Sequence, residues 1–227
     1  MWQRLMRSDL VWRASGLTYP TAVAATNSRV RTVSDYLALT RGHMASLLPY
    51  FPQGGTFLEF GSGLGGNLVA VSHLAKAAIG LDVNPGYVRI SRRIARQAGV
   101  TNVTFQSYDG VNVPQLGPQF DVVFSVGVFE RLPHDRVGRY VSRLVSQLGG
   151  NGSAILYFLS PQAARTTFAR RLGPKAYAPW DREEVLSLLT GCGLAVSSTI
   201  PFKPFPLLEG SGSLSVGDFY IGSRKAA

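Results

Sequence analysis

The sequence predicts an α/β fold: a doubly wound, mostly parallel sheet of seven strands, with helices ahead of it and an insertion after its fifth strand. Three observations predict it. From Thr56 to Leu159, short apolar runs alternate with stretches of helical hydrophobic spacing, the pattern of a parallel sheet with helices on both faces. The first run ends in Gly61-Ser62-Gly63-Leu64-Gly65-Gly66. Glycines belong there because a chain must bend sharply, or because its backbone must lie against a ligand with no Cβ between. Finally, 227 residues with 45% hydrophobic and 16% charged content suit one globular domain with a full core. The organisation expected is a helical cap over 1–55 and a compact sheet domain over 56–227.

The N-terminal stretch before Arg31 carries Trp2, Leu5 and Met6 on one helical face with Arg4 and Arg7 opposite. A lid packed on the domain is the reading preferred to a basic membrane-surface helix. Thr32-x-x-Asp35 is a capping box, and Val33, Tyr36, Leu37, Met44, Leu47 and Leu48 recur at helical spacing until Pro49 and Pro52. Thr56–Phe60 is the first strand. A helix over 67–76 follows the glycines, then a second strand from Ala77 to Asp82. Asn84 caps the next helix, with Pro85 at its first position, where a missing N–H costs nothing. Tyr87, Val88, Ile90 and Ile94 turn inward and Arg89, Arg92, Arg93 and Arg96 outward. Val103–Gln106 and Phe120–Ser125 are the third and fourth strands. A helix from Asp135 is expected to end at Gly149-Gly150, before a fifth strand over Ser153–Leu159. The stretch 160–179 is basic through Arg165, Arg170, Arg171 and Lys175, and reads as an insertion over the strand ends. Asp181 and Glu184 form a second capping box with Trp180 and Val185 as a hydrophobic staple. Strands over 194–200 and 219–223 complete the chain.

The net charge of +10 and a pI of about 10.2 point to an anionic partner or to an arginine-rich background. The single cysteine, Cys192, excludes an internal disulfide and a cysteine metal site. With no apolar run long enough for a bilayer, the expected location is the cytoplasm.

The glycine corner admits two patterns. Gly61, Gly63 and Gly66 satisfy the dinucleotide pattern G-x-G-x-x-G, whereas Gly61, Gly63 and Gly65 satisfy G-x-G-x-G. Asp82 lies about 20 residues on, as a ribose partner would. Geometry excludes neither pattern, but Glu59 argues against a dinucleotide, because a carboxylate two residues before the first glycine repels phosphate and attracts a cation. S-adenosylmethionine, with a sulfonium, an α-ammonium and no phosphate, suits that site.

Four stretches then carry a resemblance. Phe57-Leu58-Glu59-Phe60-Gly61-Ser62-Gly63-Leu64-Gly65 resembles the first motif of class I S-adenosylmethionine-dependent methyltransferases, and Gly80-Leu81-Asp82-Val83-Asn84-Pro85 the second. Tyr108-Asp109-Gly110 resembles the third, and Phe120–Ser125 with Val128-Phe129-Glu130-Arg131-Leu132-Pro133 the fourth. The resemblance implies a Rossmann-like methyltransferase fold with S-adenosylmethionine held by Glu59, Gly61, Ser62, Gly63, Asn67, Asp82, Val83, Asp109, Gly110 and Ser125. In it, Asp82 would bond the ribose hydroxyls and Asp109 the adenine amino group. Read without it, Asp109-Gly110 is equally an ordinary turn, and Asn67 can simply begin its helix.

The acceptor is less defined. Methyltransferases of base amino groups resemble Asn/Asp-Pro-Pro-aromatic after the fourth strand, where this chain has Ser125-Val126-Gly127-Val128. The two-glutamate loop of protein arginine methyltransferases is represented by Glu130 alone, and no carboxylate cluster suggests magnesium. His73 reads as a solvated flank, His134 as a helix-start residue, and His43 as either pocket-facing or packed in the core. The catalytic base is unassigned. The expected activity is methyl transfer to a small-molecule or glycan acceptor, of anionic character if the basic insertion meets it, at oxygen. RNA as acceptor and a catalytically inactive cofactor-binding subunit are the alternatives.

Overall fold

In the computed structural model, which describes residues 32–117, 119–164, 179–202 and 217–224, the first capping box forms as the sequence predicts. Asp35 N–H donates to Thr32 Oγ1 and Thr32 N–H to Asp35 Oδ2, each at 3.1 Å, so two helix-start donors are satisfied reciprocally. The lid predicted before Arg31, the insertion's Arg165, Arg170, Arg171 and Lys175, and the loop before the last strand lie outside the described residues.

Helix α1 (Val33–Met44) leads into strand β1 (Gly55–Phe60), helix α2 (Gly66–Val71), strand β2 (Ala75–Asp82), helix α3 (Pro85–Gln97) and strand β3 (Val103–Ser107). Strand β4 (Phe120–Ser125), helix α4 (His134–Val145), strand β5 (Leu148–Phe158), the short helix α5 (Pro161–Ala164), helix α6 (Arg182–Gly191), and strands β6 (Leu194–Pro201) and β7 (Asp218–Arg224) follow. The seven strands form one sheet in the order β3-β2-β1-β4-β5-β7-β6. β7 pairs antiparallel with both β5 and β6, and the pairs β1–β2, β2–β3 and β4–β5 are parallel. The chain divides into two compact units, with the boundary between Pro114 and Gln115.

In the unit before that boundary, β1 and α3 follow their patterns. Phe57 and Leu58 are fully buried, and Tyr87, Val88, Ile90 and Ile94 form the inner face of α3. Arg89, Arg92, Arg93 and Arg96 are exposed, although Arg92 turns back to donate twice to the Phe105 carbonyl, at 3.2 and 2.7 Å. The helix after the glycines is shorter than its spacing predicts. It stops at Val71 and gives way to a 3₁₀ turn over Ser72–Leu74, so Lys76 lies on β2. Ser72 Oγ donates back to Val69 O at 2.8 Å, and Asn102 Nδ2 donates to Ser72 O and Ala75 O at 2.9 and 2.7 Å. Those bonds draw the carbonyls out of the helical ladder. Exposed His73 sits on this turn.

Gly80 shows why β2 contains a glycine. A Cβ there would come within 2.6 Å of Phe105 Cδ1 and 2.7 Å of Ser62 Oγ. Gly80→Ala is expected to cost about 1–3 kcal/mol of stability, as overpacking of a close contact does, read from urea unfolding midpoints.

In the other unit, α4 buries Val137, Tyr140, Val141, Leu144 and Val145. It ends before the glycines predicted to stop it, and Gly149-Gly150 fall inside β5. Between Phe120↔Leu148 and Val122↔Ser153 the chain advances two residues on β4 and five on β5. The three extra residues make an irregularity that glycine accommodates: a Cβ at Gly152 would lie 2.6 Å from Phe120 O. The second capping box also forms, with Asp181 N–H donating to Glu184 Oε2 at 3.2 Å. Trp180 and Val185, the staple pair, are both buried.

Candidate functional site

The corner between β1 and α2 is built from backbone geometry. Gly61, Gly63 and Gly65 have φ of +73°, +54° and +80°, in the left-handed region that glycine alone enters without strain. Gly61 N–H and Ser62 N–H both donate to Leu81 O at 2.8 Å, tying the turn to β2. Gly65 N–H donates to Ser62 O at 2.8 Å, and Gly65 then caps α2. The left-handed set is therefore G-x-G-x-G, and Gly66 is an ordinary helical residue. A Cβ at Gly65 would collide with the Phe105 ring at 2.6 Å, whereas one at Gly63 would meet no heavy atom within 4 Å.

Two acids converge on this turn. Glu59, near the end of β1, is fully buried, and its Oε1 accepts from Asn67 Nδ2 at 2.8 Å. Its Oε2 has no hydrogen-bond partner, and neither has the buried Oγ of Ser62. Burial pushes the Glu59 pKa up to about 8, against the Asn67 hydrogen bond and reinforced by the charge of Asp82. Asp82 ends β2 and is 8% exposed. Its Oδ2 accepts from Gly63 N–H and its Oδ1 from Asn84 N–H, both at 2.8 Å. Burial pushes Asp82 up to about 6, with those two backbone donors opposing. Asn84 in turn caps α3, its Oδ1 accepting from Gly86 and Tyr87 N–H at 2.9 and 3.3 Å. The structure thus brings Glu59, Asn67, Ser62, Gly61, Gly63 and Asp82 together, with half-buried Val83 following.

Asp109 behaves differently. It is exposed, and its carboxylate closes its own turn, accepting from Val111 and Asn112 N–H at 2.8 Å each and from Asn112 Nδ2 at 3.2 Å. Those bonds, the Asn112 backbone donor first, lower its pKa. Gly110 follows at φ +82°. The loop is tied to the corner by Tyr108 N–H, which donates to Asp82 O at 3.2 Å. Sequence reasoning missed Tyr36, whose hydroxyl accepts from Gly66 N–H at 3.1 Å. Its place in an apolar stripe gives no sign that the hydroxyl is used. His43 on the same helix is driven down to about 4 by burial and is neutral at pH 7.

In the other unit, Ser125 is buried at the end of β4. The chain then bends at Gly127, φ +73°, whose carbonyl accepts from Arg131 Nε at 2.9 Å. The following 3₁₀ turn, Phe129–Arg131, carries Glu130, which is 4% exposed. Glu130 Oε1 is 3.8 Å from Arg131 Nε and its Oε2 has no partner. Burial raises the Glu130 pKa, with Arg131 opposing. His134 opens α4 and stacks on Trp180, ring centroids 3.7 Å apart.

The β1–α2 corner fits S-adenosylmethionine. Glu59 presents one unpartnered carboxylate oxygen to a cation, Ser62 an unpartnered hydroxyl, and Asp82 a carboxylate for ribose hydroxyls beside a glycine with no Cβ. Comparison with known proteins agrees. Residues 57–152 match the methyltransferase domain family, and no curated protein matches by sequence. Solved structures match in fold. Magnesium protoporphyrin IX methyltransferase from Synechocystis PCC 6803, with bound S-adenosylhomocysteine, is 16% identical at a TM-score of 0.69, covering 96% of this chain and 100% of that one. An S-adenosylmethionine-dependent methyltransferase from Mesorhizobium loti is 16% identical at 0.64, covering 80% and 95%. An O-methyltransferase family 2 protein from Planctomyces limnophilus, in complex with apigenin, is 17% identical at 0.68, covering 94% and 65%. Residues 57–152 thus form a methyltransferase domain, carried on the sheet order of the class I S-adenosylmethionine-dependent methyltransferase fold, with paired acids on its glycine corner.

Proposed function

We propose that this methyltransferase acts on a small-molecule or glycan acceptor, at oxygen, with residues 1–55 as a cap on a catalytic domain over 56–227. The observation that carries the reading is Gly127. At φ +73° it holds the third position of Ser125-Val126-Gly127-Val128, where base-amino methyltransferases resemble Asn/Asp-Pro-Pro-aromatic. Proline is locked near φ −65°, so this loop cannot follow that path. The fold relatives whose titles name magnesium protoporphyrin IX or apigenin act on or bind small molecules, which supports the same class.

When bound, S-adenosylmethionine supplies a methyl carbon activated by its sulfonium. The chain's own residues position and desolvate. Glu59 and Ser62 would hold the methionine moiety and Asp82 the ribose, with Val83 lining the ring. Asp109, with lone pairs remaining beyond its turn bonds, and Gly110 would meet the adenine, and Ser125 would complete the set. An acceptor hydroxyl also has a proton to lose. Glu130 is the candidate base: a buried carboxylate with one unpartnered oxygen, made more basic by its burial. Glu130→Gln is expected to lower kcat about 100-fold or more while S-adenosylhomocysteine binds as before. Unchanged turnover would remove Glu130 from the mechanism.

The RNA reading draws on charge, since Arg89, Arg93 and Arg96 are exposed along α3. A tritiated-methyl transfer screen over metabolite, glycan and RNA fractions separates the two. Label in the small-molecule or glycan fraction supports the proposal. Label in RNA, with binding that collapses as salt rises, overturns it. Cofactor binding without turnover on any fraction would instead favour an inactive partner subunit.

A further inference from the structure

Gly66 raises a question the cofactor does not answer. It is helical and not left-handed, so the turn does not require a glycine there. What requires it is α1. A Cβ at Gly66 would lie 2.6 Å from Thr40 Cγ2 and 2.7 Å from Tyr36 Cε1 and Cζ. α1 therefore rests directly on the first residue of α2. The contact also has a polar component. The first N–H groups of a helix lack intrahelical acceptors, and Gly65, the cap residue, has no side chain to supply one. Tyr36, 8% exposed, fills that role, its hydroxyl accepting from Gly66 N–H at 3.1 Å.

The next residue carries the effect onward. Asn67 Nδ2 donates to Glu59 Oε1 at 2.8 Å, which leaves Oε2 as the one oxygen of that acid without a partner. The path runs from the α1 hydroxyl to the Gly66 peptide, to the Asn67 amide, to the Glu59 carboxylate.

We propose that Tyr36 is a positioning residue: its hydroxyl fixes the start of α2, and through Asn67 the orientation of Glu59. The inference rests on the reading of Glu59 as a cofactor ligand. Tyr36 thereby ties α1 to the cofactor corner through a single hydroxyl.

The test compares Tyr36→Phe, which removes one oxygen and keeps the ring, with Leu39→Ala, which weakens α1 at another buried position. Calorimetry with S-adenosylhomocysteine and thermal melting are run on both. Tyr36→Phe should weaken binding about three- to tenfold, the effect of one lost neutral hydrogen bond, while lowering melting less than Leu39→Ala does. Leu39→Ala should lower melting and leave affinity intact. Wild-type affinity in Tyr36→Phe, or affinity losses that track melting equally in both variants, would overturn the proposal. If the wild-type protein itself bound no S-adenosylhomocysteine, the reading of Glu59 would fall on its own. Hydrogen exchange at the Gly66 amide still reads the Tyr36 bond: Tyr36→Phe should speed it about three- to tenfold by the same loss, and unchanged exchange would overturn the tie.

Discussion

Asp82→Ala is expected to abolish measurable binding of S-adenosylhomocysteine and to remove about 2–5 kcal/mol of folding stability, as leaving two backbone donors unpaired does. The double effect follows from what the carboxylate does before any ligand arrives. One oxygen holds Gly63 N–H and the other Asn84 N–H, each at 2.8 Å. The first bond sets the left-handed turn against which a ligand's backbone contacts are made. The second orients Asn84, which caps α3. Alanine strands both donors in a buried corner, so turn and helix start loosen together. Asp82→Asn keeps an acceptor for one donor but aims its amide hydrogens at the other. It should therefore fall between alanine and wild type in both calorimetry and urea unfolding. A variant that folds with wild-type stability and binds normally would remove Asp82 from the account.

Cofactor binding should be linked to proton release. Burial holds Glu59 near pKa 8 and Asp82 near 6, so at pH 7 the ligand-free protein carries a protonated Glu59. A cationic ligand beside Oε2 favours the ionised form. Affinity for S-adenosylmethionine should therefore rise about 10–30-fold from pH 6.5 to 8.5, with roughly 0.9 proton released per site at pH 7. Stability should move the other way. Glu59 has a folded pKa raised above its ordinary value of 4.5; its contribution is full below 4.5 and is lost as pH rises through about 8. Asp82, raised from 3.8, loses its contribution by about pH 6. His43 is lowered from 6.5 to about 4, so its contribution is full above 6.5 and is lost as pH falls toward 4. Below pH 6.5 these effects oppose one another. Between 6.5 and 8 the Asp82 and His43 contributions no longer change, and Glu59 makes the ligand-free protein melt at progressively lower temperature as pH rises. Glu59→Gln should flatten both profiles; a pH-independent affinity in the wild type would refute the linkage.

Much of this was legible in the chain because local chemistry and tertiary role coincide. Thr32–Asp35, Asn84-Pro85 and Asp181–Glu184 signal helix starts through side chains that bond their own backbone, and those starts form where predicted. Glu59, Gly63 and Asp82 could be singled out because a carboxylate before a glycine turn makes sense only for a ligand without phosphate. What was not legible depends on residues far away in sequence. The early end of α2 is enforced by Asn102, thirty residues on from Ser72. Gly149-Gly150 read as a helix stop because glycine serves that purpose as readily as it serves an irregular strand; only the pairing with β4 decides. Gly66 fitted a dinucleotide pattern, but the space it leaves is filled by Tyr36 and Thr40. Asp109 joined the predicted cofactor set by resemblance, while its side chain closes its own turn. Among the described residues, no helix is long and apolar enough to cross a membrane.

The central claim is that the corner of Glu59, Gly63 and Asp82 holds S-adenosylmethionine and rejects phosphate-bearing nucleotides. Isothermal calorimetry of the full chain at pH 8, titrated separately with S-adenosylhomocysteine and with NAD, tests it most directly. One S-adenosylhomocysteine should bind per chain, with no heat of binding for NAD. Saturable NAD binding, or none of S-adenosylhomocysteine by a folded protein, would contradict it.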